Sequence, residues 1–105
     1  MERMFQDCKT LISLDVSNFD TSNVERMALM FCECESLTEL DLSSFDTSKA
    51  GTNGSHAYLS MFCFCRNLRK LNISNFDTDK YSYHFMHMFY DCDPSIIPPK
   101  FQKKL

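Results

Sequence analysis

A block of residues that recurs along the chain constrains its fold more than any other feature of the sequence. Each block starts with the dipeptide Met-Phe, at Met4, Met30, Met61 and Met88, and a cysteine follows each time at the same offset. In the first three blocks, leucines come next at fixed spacing, then a phenylalanine and an Asp-Thr pair. Self-similarity with a period of 26–31 residues is typical of chains that stack one structural unit several times.

The leucine spacing predicts where the strands lie. The segment Leu11–Val16 fits the pattern LxxLxL, and its second half alternates apolar and polar residues, as a short strand does. We therefore expect parallel strands near Leu14–Val16, Leu40–Leu42 and Leu71–Ile73. The predicted fold class is an α/β-type repeat solenoid of the leucine-rich-repeat kind. It would contain mostly short parallel β-strands, joined by irregular or short helical return segments.

The same pattern predicts one domain over residues 1–105. Its coils would span residues 4–29, 30–60 and 61–87, and a degenerate C-terminal cap would span residues 88–105, where prolines prevent further strand pairing. The second block is about five residues longer than the first and holds both glycines, Gly51 and Gly54, which predicts a surface loop there. In each Asp-Thr pair, the aspartate is expected to accept a local backbone hydrogen bond and so form a turn.

The repeated unit, with its Met-Phe dipeptide, its cysteine and the segment LDVSNFDTSNV, resembles the BspA-type leucine-rich repeats. That family is found in bacterial surface proteins and in some protists, and the resemblance extends from Met4 to Cys92. It implies a leucine-rich-repeat fold and adhesion to proteins or host surfaces. This sequence has Phe19, Phe45 and Phe76 where the common repeat has asparagine, which predicts a stacked phenylalanine ladder in place of an asparagine ladder.

Six cysteines in 105 residues are fewer than a disulfide scaffold would contain. The first residues lack the apolar run of a secretion signal, so we expect a cytoplasmic protein with reduced, structural thiols. A disulfide between Cys32 and Cys63 and a four-cysteine zinc site are the alternatives. His84 and His87 are expected to face solvent, and no bound metal is predicted.

Catalysis is not expected, because the chain lacks a glycine-rich phosphate loop, a G-x-S-x-G elbow and an HExxH motif. The prediction is therefore a protein that is not an enzyme and has no cofactor. Residues 1–46 hold ten acidic and three basic residues, whereas residues 47–105 hold four acidic and eight basic ones. This distribution is unlike that of a nucleic-acid-binding protein, and no segment is apolar enough over about 20 residues to cross a membrane.

We predict a non-catalytic protein-binding module that acts through its sheet face and its open N-terminal edge. The residues predicted to contact the partner are Asp15, Glu33, Glu35, Glu39, Asp41, Lys70 and Asn72. The acidic first half favours another protein with a basic surface, and a homodimer through the N-terminal edge is the alternative. A second functional hypothesis is a small intracellular inhibitor of the phage anti-defence type, such as an anti-CRISPR protein. Its acidic half would block a nucleic-acid-binding enzyme.

Overall fold

The main chain is organised around the four Met-Phe dipeptides in the computed structural model, which describes residues 1–52, 56–76 and 82–102. We call residues 1–8, 27–34, 58–65 and 85–92 the Met-Phe segments. Each is a run of tight turns in which alternate amides donate to the carbonyl three residues earlier, as from Gln6 to Arg3 at 3.1 Å. In each segment, non-glycine residues adopt positive φ angles, for example Leu29 at 61° and Glu33 at 63°.

Two short strands lie between these segments. Strand β1 (Glu39–Asp41) pairs in parallel with β2 (Lys70–Asn72), and Leu40 faces Leu71 in the register. Both strands end in a side-chain turn. The Asp41 carboxylate accepts the amide of Ser43 at 2.9 Å, and the Asn72 side chain accepts the amide of Ser74 at 3.2 Å. These bonds satisfy amides that a longer strand would direct to a neighbouring strand, so each strand stops after three residues.

Aspartates that close such turns are numerous, and their carboxyl groups have a pKa below the ordinary value of 3.8. The turn aspartates are Asp15, Asp20, Asp41, Asp46 and Asp93. In each, hydrogen bonds from the serine two residues later stabilise the ionised form. The turns expected at the first two Asp-Thr pairs are confirmed, because Asp20 and Asp46 accept the amides of Ser22 and Ser48. The third pair, Asp77-Thr78, lies outside the described residues.

The C-terminal part of the described chain covers one end of the core. It contains two 3-10 turns, Ser82–Phe85 and Pro94–Ile96, and a single helical turn, α1 (Pro99–Gln102). Phe101 of α1 is fully buried and packs edge-on against Phe85 and Phe89, with ring centroids 5.6 and 5.9 Å apart. The neighbouring Lys100 donates from its ammonium group to two backbone carbonyls near β2, which fixes α1 in place.

The core contains a continuous stack of four phenylalanines, one from each Met-Phe segment. Phe5, Phe31, Phe62 and Phe89 have ring centroids 5.6–5.8 Å apart and nearly parallel planes. The predicted ladder of Phe19, Phe45 and Phe76 is wrong. Phe19 packs on Phe5 and Phe76 packs on Tyr58. Tyr58, which follows the long loop of the second block, is fully buried and occupies the space beside Phe76.

The predicted leucine-rich-repeat solenoid of mostly parallel strands is also wrong. In the described residues, only β1 and β2 are strands, and Leu14–Val16 forms none. The radius of gyration is 12.4 Å, close to the roughly 13 Å of a compact globule of this length. The apolar residues at the LxxLxL positions were predicted to be buried, and six of the nine are. However, tight turns and side-chain turns satisfy much of the backbone, so the apolar pattern produces a core without extended sheet.

A disulfide links Cys32 to Cys63 across 31 residues of sequence and ties two Met-Phe segments together. The prediction that all cysteines are reduced is therefore wrong for this pair. The residue spacing alone did not favour the disulfide over packed thiols. The two cysteines become neighbours because the amide of Glu33 donates to the Cys63 carbonyl, which aligns the two segments.

The free cysteines occupy equivalent positions at the ends of the Met-Phe segments. The thiols of Cys34, Cys65 and Cys92 donate to the carbonyl of the phenylalanine in the preceding segment, at 2.9–3.1 Å. Burial raises the pKa of the Cys34 and Cys92 thiols to about 11, and that of Cys65 further still. These cysteines are protonated, poorly reactive parts of the core.

The loop predicted around Gly51 packs against a buried histidine. Gly51 has a φ of 81°, and a Cβ atom there would lie 2.7 Å from the imidazole of His84. His84 is 3% exposed and accepts the amide of Ala57 at 3.0 Å. The expectation that His84 faces solvent is wrong, whereas His87 is exposed as expected. The second glycine, Gly54, lies outside the described residues.

Candidate binding groove over the two strands

The two strands lie in a groove of about 640 Å³. Its apolar lining comes from Leu40 and Leu71 at the centre of the two strands and from Leu14 and Ile96 on either side. Leu14 and Leu71 are half-buried, whereas Leu40 and Ile96 are buried. Its polar lining is formed by Ser13, Glu39, Asp41, Arg69, Lys70, Asn72 and Ser95. A concave surface that combines apolar side chains with a few polar groups is the common form of a binding site.

The register of the strands places opposite charges side by side on the groove. Glu39 pairs with Lys70, and Asp41 pairs with Asn72; side chains at such positions are about 5 Å apart at Cβ. All four side chains are exposed. In the described part of the chain, no ion pair within 4 Å joins Glu39 or Lys70 to another residue. Both charges are therefore available to a ligand.

Arg69, at the edge of the groove, is held more firmly than Lys70. Its guanidinium lies 3.4 Å from the Asp93 carboxylate and donates to the backbone carbonyls of Arg66 and Leu68. The carboxylate of Asp41 is kept ionised by Ser43, whose side chain and amide lower its pKa. The groove therefore has one fixed cation, Arg69, and one fixed anion, Asp41. Its other two charges, Glu39 and Lys70, have no ion-pair partner among the described residues.

Four of the seven residues predicted to contact a partner line this groove, namely Glu39, Asp41, Lys70 and Asn72. The other three lie elsewhere. Asp15 is exposed and accepts the amide of Ser17 at 3.0 Å. Glu35 lies 3.7 Å from Arg66, and Glu33 stands beside Asp7, which raises the Glu33 pKa by a hydrogen bond and by charge repulsion.

Sequence reasoning missed three groups that line the groove. Leu14 was assigned to the core, yet it is only half-buried and borders the groove. Ser95 and Ile96 belong to the 3-10 turn after Asp93, where the repeat pattern no longer applies. Arg69 was within reach of the pattern, because it immediately precedes β2. The leucine spacing identified outward-facing residues only along the predicted strand face, so Arg69 was not selected.

No group of three or more His, Cys, Asp or Glu side chains is arranged to hold a metal ion among the described residues. Nor does any helix in those ranges have the length and apolar character needed to cross a membrane. The expected absence of metal, cofactor and catalysis stays a prediction.

Comparison with known proteins places the chain in a family. Residues 1–96 match the model of the family described as "Mycoplasma protein of unknown function, DUF285". No curated protein and no solved structure matches the chain. Since the family description states no activity, the function has to be inferred from the geometry of the groove.

Proposed function

We propose a non-catalytic, protein-binding function for this chain, which belongs to the family of Mycoplasma proteins of unknown function. The observation that carries the proposal is the groove over β1 and β2, where half-buried Leu14 and Leu71 lie beside Glu39 and Lys70. Neither charge forms an ion pair with a residue that the structure describes. Burial of apolar surface would supply affinity, and the charges would fix the orientation of the partner.

The dimensions of the groove favour a polypeptide segment as the ligand. Each strand is three residues long, which corresponds to about 10 Å of extended chain. A partner with a basic side chain near Glu39 and Asp41, and an acidic one near Lys70, would complement the charges. A partner with a basic surface was expected from the sequence, and we retain that expectation for the β1 side of the groove.

The inhibitor hypothesis depends on a continuous acidic surface. The arrangement of charges favours this hypothesis less than it favours the protein-binding module. Asp7 and Glu33 do lie side by side, as the raised pKa of Glu33 indicates. However, Glu35 and Asp91 both pair with Arg66, at 3.7 and 2.8 Å. These pairs reduce the negative potential next to the acidic pair, so we place the binding module first.

A closer relation to the BspA-type proteins is part of this proposal. The motif that supports it runs from Met4 to Cys92 and lies inside the matched residues 1–96. Adhesion, which the resemblance implies, is one form of protein binding and needs no additional site. The cytoplasmic location expected from the sequence stays a prediction.

The test uses charge variants and direct cross-linking. The tagged chain, with a photo-cross-linking residue in place of Asn72, is incubated with lysate of the encoding organism, and its cross-linked partner is identified by mass spectrometry. Glu39→Lys should reduce cross-linking at least about fivefold, an effect of roughly 1 kcal/mol. Glu25→Lys, an equal charge change at an exposed site away from the groove, should leave it unchanged. Equal cross-linking by both variants, or none by the cross-linking chain that keeps Glu39 and Glu25, would contradict the proposal.

A further inference from the structure

The Met-Phe segments are joined by rows of backbone hydrogen bonds that all run in one direction. The amides of residues 3, 5 and 7 donate to the carbonyls of residues 28, 30 and 32, at 2.8–3.0 Å. The amides of residues 29, 31 and 33 donate in the same way to residues 59, 61 and 63. The third segment repeats this with the fourth, through residues 60, 62 and 64. Each of the first three segments thus donates to the following one.

This polarity leaves the first segment with a row of free acceptors. In a planar trans peptide the N–H and C=O bonds point in opposite directions. Because the amides of Arg3, Phe5 and Asp7 point to the second segment, the carbonyls before them point away from it. Those carbonyls belong to Glu2, Met4 and Gln6. None of them accepts a hydrogen bond from a residue that the structure describes.

Apolar side chains are exposed at the same edge. Phe31 and Phe62 are fully buried between stacked rings, whereas Phe5 at the end of the stack is only half-buried. Beside it, a cavity of about 680 Å³ is lined by Phe5, Cys8, Leu11, Ile12 and Leu14, with a few polar groups. Ile12 is 68% exposed.

A second copy of the chain does not complement this edge. Two copies meeting head to head would place carbonyl rows against each other, with no donors between them. Head to tail, the amides of His87, Phe89 and Asp91 would supply donors. However, Phe101 already covers Phe89 at that end, so the ring of Phe89 cannot stack on Phe5.

We propose that the N-terminal edge binds a polypeptide segment that adds to the hydrogen-bonded rows. That segment would donate amides two residues apart to Glu2, Met4 and Gln6, and would place an aromatic ring on Phe5. The molecule shows this arrangement three times, where Phe31, Phe62 and Phe89 each stack on the phenylalanine of the preceding segment. The inference rests on the proposed protein-binding function and assigns a partner chemistry to a second surface, which shares only Leu14 with the groove.

The probe is a fluorescent synthetic peptide with the sequence of residues 27–37, carrying Cys32→Ser and Cys34→Ser. Within the protein this sequence provides such a donor row and the stacking ring. The control peptide has N-methyl groups on the amides of Leu29, Phe31 and Glu33, which removes the three donors and leaves the side chains unchanged. Binding to the full chain is measured by fluorescence anisotropy at peptide concentrations up to about 2 mM, the range of weak association.

The parent peptide should bind, and N-methylation should weaken binding at least about tenfold, since three hydrogen bonds are lost. Ile12→Lys, which changes an exposed residue of this cavity, should also weaken binding, with an unchanged circular dichroism spectrum. Glu39→Lys should have no effect, because it alters only the groove, so failure here is distinguishable from failure of the proposed function. Absence of binding, or equal binding of both peptides, would overturn the inference.

Discussion

The stack of four phenylalanines makes a quantitative prediction about stability. Phe31 is fully buried, with Phe5 on one face at 5.6 Å and Phe62 on the other at 5.8 Å. Truncation of a buried phenylalanine to alanine costs about 3–5 kcal/mol, and the loss of two stacked partners places Phe31 in the upper half of that range. A chain of this length has a total stability of about 5–15 kcal/mol. Phe31→Ala should therefore remove a large part of it.

Phe5→Ala is the matched comparison, because Phe5 has the same place in its segment but is only half-buried. It should cost about 1–2.5 kcal/mol, since less of the ring leaves water on folding. Both variants are measured by urea unfolding, followed by circular dichroism at 222 nm, with exposed Ile12→Ala as a baseline within about 0.5 kcal/mol. A cost for Phe31→Ala below about 1 kcal/mol, or equal to that of Phe5→Ala, would refute the stacking geometry.

Other predictions concern the disulfide, the thiols and the turn aspartates. The double variant Cys32→Ser/Cys63→Ser should unfold with about 2–4 kcal/mol less stability than the oxidised protein, and dithiothreitol should lower the urea midpoint of the oxidised protein but not of the variant. Thiol titration of the unreduced, unfolded protein should find four thiols, and a count of six would contradict the disulfide. In the native state at pH 8 the thiols of Cys34, Cys65 and Cys92 should react slowly, because burial raises their pKa; for Cys34, a pKa of about 11 leaves about one thiolate in a thousand. The turn aspartates have folded pKa values below their unfolded value of 3.8. The stability that they contribute is therefore complete above pH 3.8 and is lost as the pH falls through the folded values. Urea unfolding at a series of pH values should show this loss below about pH 4, and Asp46→Asn should make the loss smaller.

The sequence predicted which residues form the core better than it predicted the fold. The leucines at the LxxLxL positions are largely buried, since a repeated apolar pattern must be sequestered whatever the backbone does. Two of the three predicted strands exist, displaced by one residue, at Glu39–Asp41 and Lys70–Asn72. The third is absent because no backbone hydrogen bond joins Leu14–Val16 to β1 in the described residues, and periodicity does not specify pairing between strands.

The sequence did not predict which side chains pair across the Met-Phe segments. The repeat put Phe45 and Phe76 at equivalent positions, but the longer second block brings Tyr58 against Phe76. Cys32 and Cys63 were recognised as equivalent residues. Their bonding depends on the alignment of two backbones, which a pattern of residue types does not specify.

Only part of the candidate groove was predicted from the sequence. Glu39, Asp41, Lys70 and Asn72 were found because alternation along a strand identifies the side chains that face outward. Ile96 was missed because it reaches the groove from a 3-10 turn in a part of the chain that lacks the repeat. A residue brought in by chain reversal leaves no periodic signal, and this limits how much of a binding surface sequence can reveal.

The turns and the hydrogen-bonded rows together explain why the N-terminal edge should be the least stable part of the framework. Residues such as Arg3 and Asp7 have positive φ angles, each of which costs a non-glycine residue roughly 1–2 kcal/mol. In the interior, neighbouring segments on both sides offset this strain with hydrogen bonds and ring stacking. The first segment has a neighbour on one side only, so it meets the same local cost with fewer contacts. A partner that supplied the missing donors would therefore stabilise the fold as it bound, because it would associate with the folded chain alone.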